Sequence, residues 1–216
     1  QDVRFLRSHD IKAILVACGT VSTTALPQLR QESDIPILGV VEPACRRAAA
    51  VTRNRRVGLI ATAASVRSGA YQRSLRQLDP DIAVTAKACP LFVPLVENGR
   101  FRRGDVVIET VAREYLEPLR REGLDTLILG CTHYPLLTDI IGDIMGPGVT
   151  LINTGEEAAW ELKRTLRGLD LLAPEGPAGR ATLCASDQPE QFGSLAAYFL
   201  GESLTRPVQP VDIDRY

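Results

Sequence analysis

Short apolar runs alternate with longer amphipathic stretches along almost the whole chain, and this alternation restricts the possible folds more than any other feature. Residues 13–17, 57–61 and 126–129 have the length and composition of buried strands, whereas residues 105–122 have helical periodicity. Strands that alternate with helices form parallel sheets covered by helices. The sequence therefore predicts an α/β fold.

The same pattern predicts the remaining elements and two sheets. Further strands are expected at residues 37–41, 82–86, 149–152 and 181–185, and further helices at residues 22–30, 42–53, 66–78, 136–145, 155–166 and 190–200. A Gly/Pro-rich loop is expected at 173–179 and an extended tail at 205–216. We expect residues 1–42 and 153–216 to form a first lobe and residues 43–152 a second lobe.

Charge and hydropathy favour a small-molecule ligand. The 216 residues carry 25 Lys or Arg and 26 Asp or Glu, so no strong field favours nucleic acid or an anionic membrane surface. Uninterrupted apolar runs of membrane-spanning length and a secretory signal are both missing from the sequence. We expect a soluble, cytoplasmic protein, and the start at Gln1 indicates that further residues precede it.

The five cysteines are odd in number and include no Cys-x-x-Cys pair, which predicts free thiols rather than a disulfide framework or a zinc site. The two histidines, His9 and His133, have no helical His-x-x-x-His spacing. Metal catalysis is therefore not expected.

A faint internal duplication is the most informative motif. Residues 13–20 (AILVACGT) echo residues 126–133 (TLILGCTH), and each segment is a predicted strand that ends in a cysteine. A helix and another apolar strand follow each copy. Two related lobes that face each other would bring Cys18 and Cys131 together across a cleft.

This arrangement suits acid–base chemistry at carbon. Ligands of open α/β sheets bind at the carboxyl ends of the strands, and helix N-termini there favour thiolates. Inversion of a stereocentre by proton transfer needs a base on one face of the carbon and an acid on the other. A thiolate and a thiol supply both, and His133 is placed to assist Cys131.

From the residues alone, a structural role for each cysteine remains open, because free cysteine is among the most buried residue types. The duplication, with Thr20 beside one copy and Thr132 and His133 beside the other, raises a functional role to equal standing for Cys18 and Cys131. We interpret Cys45, Cys89 and Cys184 as structural and His9 as a solvated residue at a helix end.

The sequence resembles glutamate racemase along nearly its whole length. The residues that carry the resemblance are 129–137 (LGCTHYPLL), 39–43 (GVVEP), 68–71 (SGAY), 88–97 (ACPLFVPLVE) and 155–157 (GEE). The resemblance implies two pseudo-symmetric α/β lobes with the active site between them, and interconversion of L- and D-glutamate without a cofactor. It also implies a homodimer and a supply of D-glutamate for peptidoglycan, and hence for cell-wall biogenesis and cell shape.

The resemblance also assigns roles to residues. Cys18 matches the family's cysteine that takes the proton from D-glutamate, and Cys131 matches the cysteine that acts on L-glutamate. His133 would assist Cys131, with Glu97 as support. The residues that match the substrate-binding positions are Gly19, Thr20, Thr62, Ser65, Thr132 and His133.

Two departures from the family pattern qualify these roles. The family usually has Asn where this chain has Gly19, so an amide that contacts the substrate is missing. The family's Asp-Ser-Gly motif and Tyr-Gly loop are expected before Gln1, and residues 1–216 alone are expected to be inactive without them.

Two alternatives to glutamate racemisation stay open. Gly19 leaves room for a racemase of aspartate or another amino acid. A non-catalytic relative could instead act as a binding or regulatory module, for example on DNA gyrase. The formal net charge of −1 offers no support for direct contact with nucleic acid.

Overall fold

Parallel strand pairing organises the protein, and the computed structural model describes it for residues 1–177, 179–201, 204 and 206–216. Strands β1 (Ile14–Val16) and β2 (Ile37–Gly39) form a small sheet. Strands β3 (Arg56–Ala61), β4 (Ala83–Ala88), β5 (Thr126–Leu129) and β6 (Thr150–Asn153) form a larger sheet in the order β4-β3-β5-β6. Strands β7 (Cys184–Ala185) and β8 (Gln209–Pro210) form a third pair.

Helices connect and cover these strands. They are α1 (Asp2–Arg7), α2 (Gly19–Thr24), α3 (Leu26–Gln31), α4 (Val41–Val51), α5 (Ala63–Ser68), α6 (Ala70–Leu78), α7 (Phe92–Glu97), α8 (Val106–Arg121), α9 (Thr138–Met145), α10 (Thr154–Gly168) and α11 (Pro189–Leu200). Short 3-10 turns lie at Tyr134–Leu137 and Ile213–Arg215. In the described ranges, no helix combines the length and apolar character needed to cross a membrane.

The predicted α/β class is confirmed, and several predicted boundaries change. The helix expected at residues 22–30 is two helices, α2 and α3, because Pro27 in the first turn of α3 lacks the N–H that a continuous helix needs. The helix expected at 66–78 is likewise divided between α5 and α6, where Gly69 adopts a left-handed φ of 66°. Helix α7 was not predicted, since Pro90 and Pro94 make its sequence resemble a loop.

The C-terminal predictions were less accurate. The strand expected at 181–185 is reduced to the two residues of β7. The tail expected to be extended contains β8 and a 3-10 turn. Ala178 of the predicted loop and Thr205 of the predicted tail lie outside the described residues.

The two central strands of the larger sheet, β3 and β5, are buried on both faces, which explains their apolar sequences. Leu127 and Leu129 of β5 point to one face and join a cluster with α7, α8 and α9. Ile128 points to the opposite face and joins a cluster with α4 and α6. The alternation follows from the two-residue repeat of a strand.

The small sheet has a core of its own, in which Ile14, Leu26 and Ile37 pack together. It is connected to the larger sheet by α4 and α10, which pack against each other. Arg46 of α4 and Glu161 of α10 form an ion pair of 2.7 Å on this contact. The two sheets agree with two lobes, and the boundaries at residues 42/43 and 152/153 stay a prediction.

A buried carboxylate ties the segment after α4 to the start of β5. Asp125 accepts hydrogen bonds from Thr52 Oγ1 at 2.7 Å, from the backbone N–H groups of Arg53 at 2.7 Å and Asn54 at 2.8 Å, and from Thr126 Oγ1 at 2.9 Å. Burial by itself raises the pKa of Asp125, but these donors stabilise the ionised form and lower the pKa overall. The connection between the lobes is therefore fixed at its C-terminal end.

We predict that Asp125→Asn lowers the free energy of unfolding at pH 7 by about 1.5–3 kcal/mol, because hydrogen bonds to an ionised group are lost. A lowered pKa in the folded state stabilises the protein above the unfolded-state pKa, and this contribution disappears as the pH falls through the folded-state pKa. The variant should therefore lose less stability than the wild type between pH 5 and acid pH. Urea unfolding at a series of pH values measures both effects.

The control is Asp143→Asn, which removes an exposed carboxylate that pairs with Arg103. Surface ion pairs contribute little, so its stability should stay close to that of the wild type. Two results would contradict the role given to Asp125. One is an equal loss of unfolding free energy in both variants, and the other is an Asp125→Asn variant that loses as much stability at acid pH as the wild type.

Candidate active site

The two cysteines of the duplicated motif both follow strands at their carboxyl ends. Cys18 comes two residues after β1 and is the N-cap of α2, where it is exposed. Cys131 comes two residues after β5 and is buried, with 7% of its surface exposed. In the larger sheet Ile60 lies opposite Leu129, so Thr62 and Cys131 leave adjacent strands at the same edge.

The turns that carry the cysteines touch each other through two glycines. A Cβ atom built on Gly19 would lie 2.5 Å from the carbonyl oxygen of Gly130, which is closer than side-chain atoms approach backbone oxygens. Both positions are glycine, and Gly19 is buried. The contact therefore places Cys18 and Cys131 on adjoining turns, one from each sheet.

His133 lies between Cys131 and a carboxylate. Its Nδ1 is 3.8 Å from Cys131 Sγ and 3.2 Å from Thr132 Oγ1, and its Nε2 is 3.0 Å from Glu97 Oε1. A neutral imidazole that donates its Nε2–H to Glu97 has Nδ1 free to accept a proton. The geometry therefore provides a base beside the sulfur and a carboxylate that orients this base.

The pKa of the Cys131 thiol is raised, first because burial disfavours the thiolate. The negative charges of Cys18 and Glu97 act in the same direction, whereas the backbone N–H of His133 and the side chain of Thr132 lower the pKa. The net direction is upward. A thiolate at Cys131 consequently needs a proton acceptor close by.

Three hydroxyl groups bridge α2 and α5 beside the cysteines. Thr20 Oγ1 and Thr62 Oγ1 are 2.9 Å apart, and Thr62 Oγ1 donates to Ser65 Oγ at 3.1 Å. Thr62 is also the N-cap of α5 and accepts from the backbone N–H of Ser65 at 3.3 Å. The structure thus brings Thr20, Thr62 and Ser65 together across the two sheets.

The other three thiols make none of these contacts. Burial raises the pKa of Cys45 and of Cys89 to about 12 each, so both are protonated thiols at neutral pH. Cys184 is partly exposed in β7. His9 is exposed, with Nδ1 3.0 Å from the carbonyl oxygen of Phe5 at the end of α1.

Two aromatic residues beside the site had no predicted role. Phe199 of α11 packs its ring edge-on against His133, with 5.4 Å between ring centroids. Tyr71 of α6 is fully buried beside Gly19. The motif at 68–71 included Tyr71, but its pattern gave no reason to place the hydroxyl near the cysteines.

Two cavities among the described residues are not lined by the two cysteines of the duplicated motif. One of about 570 Å³ lies beside β7 and β8 and is lined by Phe5, Phe192 and Val211, among others. Another of about 210 Å³ lies between α3, α4 and α10 beside Arg30 and Glu161. Among the residues described, no cluster of His, Cys, Asp or Glu side chains is arranged to hold a metal ion.

Comparison with known proteins identifies the family. The model of the Asp/Glu/hydantoin racemase family matches residues 1–162. A glutamate racemase of Geobacter metallireducens is 46% identical over 200 residues, which make up 93% of this chain and 73% of that protein. The chain belongs to the glutamate racemase family. This membership confirms the resemblance and the prediction of an isomerase.

Solved structures of the glutamate racemase family agree with the fold. The glutamate racemase isoform RacE1 from Bacillus anthracis superimposes with a TM-score of 0.91 at 35% identity, covering 98% of this chain and 78% of that one. A glutamate racemase from Francisella tularensis in complex with D-glutamate has a TM-score of 0.88 at 30% identity, covering 100% of this chain and 79% of that one. The predicted α/β architecture is therefore that of the family.

We predict that Gly19→Ala lowers the free energy of unfolding by about 1–3 kcal/mol, because its Cβ would overlap Gly130 and force the two turns apart. Gly168→Ala at the end of α10 is the control, since nothing lies within 4 Å of its Cβ position and its stability should not fall. Urea unfolding of both variants measures the difference. A Gly19→Ala protein as stable as wild type would show that the turns do not touch in solution.

Proposed function

We propose that the protein interconverts D- and L-glutamate by proton transfer between the substrate Cα and the thiols of Cys18 and Cys131. The observation that carries this proposal is the contact of Gly19 with Gly130, which puts the two cysteine-bearing turns side by side. The relative from Francisella tularensis in complex with D-glutamate supports the choice of substrate. Glutamate is also preferred to aspartate because the relatives above are glutamate racemases.

The proposed reaction conserves protons and needs no change of oxidation state. In the D-to-L direction the Cys18 thiolate removes the Cα proton, so its S–H bond forms as the C–H bond breaks. The Cys131 thiol then donates its proton to the opposite face of the carbon and becomes a thiolate. In the L-to-D direction Cys131 is the base and Cys18 the acid.

His133 and Glu97 are proposed to prepare Cys131 for the L-to-D direction. Burial raises the pKa of Cys131, so its thiol is a poor base until its proton is taken up. Nδ1 of His133, 3.8 Å from the sulfur, is placed to accept that proton. Glu97, 3.0 Å from Nε2, then stabilises the positive charge on the imidazole.

The hydroxyl groups between α2 and α5 are proposed to bind the substrate carboxylates. Thr20, Thr62 and Ser65 now hydrogen bond with one another and can reorient towards an anion. Thr132, beside Cys131, is proposed to act on the other side, and Gly19 contributes only its backbone. We propose that the product D-glutamate serves peptidoglycan synthesis in the cytoplasm.

We predict that Cys18→Ser and Cys131→Ser each reduce racemisation at least about 100-fold, because a serine hydroxyl is a much weaker acid than a thiol and cannot supply the base. The rate is measured by NMR as inversion and solvent-deuterium incorporation at Cα of each glutamate enantiomer, with the intact protein. Cys184→Ser is the matched control and should retain wild-type activity. Normal turnover in either active-site variant would refute the role assigned to that cysteine.

We also predict a pH effect for Thr132→Val. Racemisation of L-glutamate requires the Cys131 thiolate, so kcat/KM in this direction should rise with pH through a pKa above that of an ordinary cysteine. The Thr132 side chain lowers this pKa, so its removal should move the rising limb to still higher pH. Thr110→Val, at an exposed position of α8, is the control. If kcat/KM of Thr132→Val rises at the same pH as in the wild type, or at a lower pH, the role given to Thr132 is wrong.

A further inference from the structure

The hydroxyl group of Tyr71 lies where the two cysteine-bearing turns meet. Tyr71 is the second residue of α6 and is fully buried. Its ring packs in the apolar cluster on one face of the larger sheet. Its Oη is 3.7 Å from the point where a side chain on Gly19 would begin. Because residue 19 is glycine, it places no side-chain atom next to this hydroxyl.

This hydroxyl has no hydrogen-bond partner in the described part of the chain. Buried hydroxyls normally have a partner, and leaving one without a partner costs free energy. By contrast, Tyr134, which is equally buried, donates to the carbonyl oxygen of Cys89 at 3.0 Å. The unsatisfied Tyr71 hydroxyl is thus an exception that calls for a ligand.

The surroundings of Tyr71 define what this ligand is. Burial, together with the negative charges of Cys45, Cys131 and Cys18 and of Glu42, raises the pKa of the phenol, so Tyr71 remains neutral and can donate its proton in a hydrogen bond. A neutral donor in a buried site bonds most strongly to an anion. Because the acceptor must lie beside both cysteines, it shares the position of the proposed substrate.

We propose that Tyr71 binds the substrate, by donating a hydrogen bond from Oη to a carboxylate of the bound amino acid beside Gly19. The inference rests on the proposed function and adds a substrate-binding residue to it. In this interpretation the missing side chain at residue 19 does not leave the site without a polar contact. Tyr71 supplies that contact from α6, which packs on the larger sheet.

The test is Tyr71→Phe, which keeps the ring in its apolar cluster and removes only the hydroxyl. We expect kcat/KM for both glutamate enantiomers to fall about 10- to 100-fold, as for loss of a hydrogen bond to a charged group. Stability to urea should stay equal or increase, because an unsatisfied buried hydroxyl is removed. The pH at which kcat/KM rises should not change.

The control is Tyr115→Phe, which removes a buried phenol oxygen that accepts from the backbone N–H of Leu91 at 3.4 Å. This variant should lose some stability and keep wild-type kinetics. Tyr71→Phe should leave the stability unchanged or increase it, whereas Tyr115→Phe should lower it. This difference distinguishes a hydroxyl that hydrogen bonds to the substrate from one that hydrogen bonds within the folded protein.

Three outcomes for Tyr71→Phe would overturn the inference. Wild-type kinetics would show that the hydroxyl does not contact the substrate. Lower stability would show that it bonds to a permanent partner, such as an ordered water molecule. A shift of the pH profile would show that it donates to a cysteine thiolate instead. If the wild-type protein itself fails to exchange the Cα proton of glutamate, the proposed function is wrong, and this result is distinguishable from all three.

Discussion

The backbone contact between Gly19 and Gly130 is the constraint on which the rest of the site depends. Each glycine belongs to a turn that follows a strand of a different sheet, and the absence of side chains lets these turns touch. Cys18 and Cys131 become neighbours as a result, and Thr20 reaches Thr62 to join the sheets by a hydrogen bond. Glycine at residue 19 thus has a steric reason in this protein.

Burial and hydrogen bonding have opposite effects on the pKa of Cys131. Burial disfavours its thiolate, while the His133 backbone and Thr132 side chain favour it. Glu97 has two opposed effects, because its charge raises the pKa of the thiol and also holds His133 in place as an acceptor. In the proposed mechanism, the base on this side is therefore the Cys131 sulfur together with the His133 imidazole.

The sequence predicted the α/β class, most strands and the location of both cysteines after the ends of strands. These predictions succeeded because hydrophobic periodicity and strand-end motifs are local properties of the sequence. Tertiary features could not be predicted in the same way. The contact of Gly19 with Gly130 depends on how the two sheets pack against each other. The Tyr71 hydroxyl is unsatisfied because the folded chain places no hydrogen-bond partner beside it in the described residues. Phe199 reaches His133 from a helix 66 positions away in the sequence, and no local pattern announces such a contact.

The unequal burial of the Cys18 and Cys131 thiols has a consequence for chemical modification. Cys18 is open to solvent, whereas Cys131 is shielded, so an electrophile or an oxidant encounters Cys18 first. In the proposed mechanism, modification of Cys18 alone would stop racemisation, and a bound substrate would protect this sulfur.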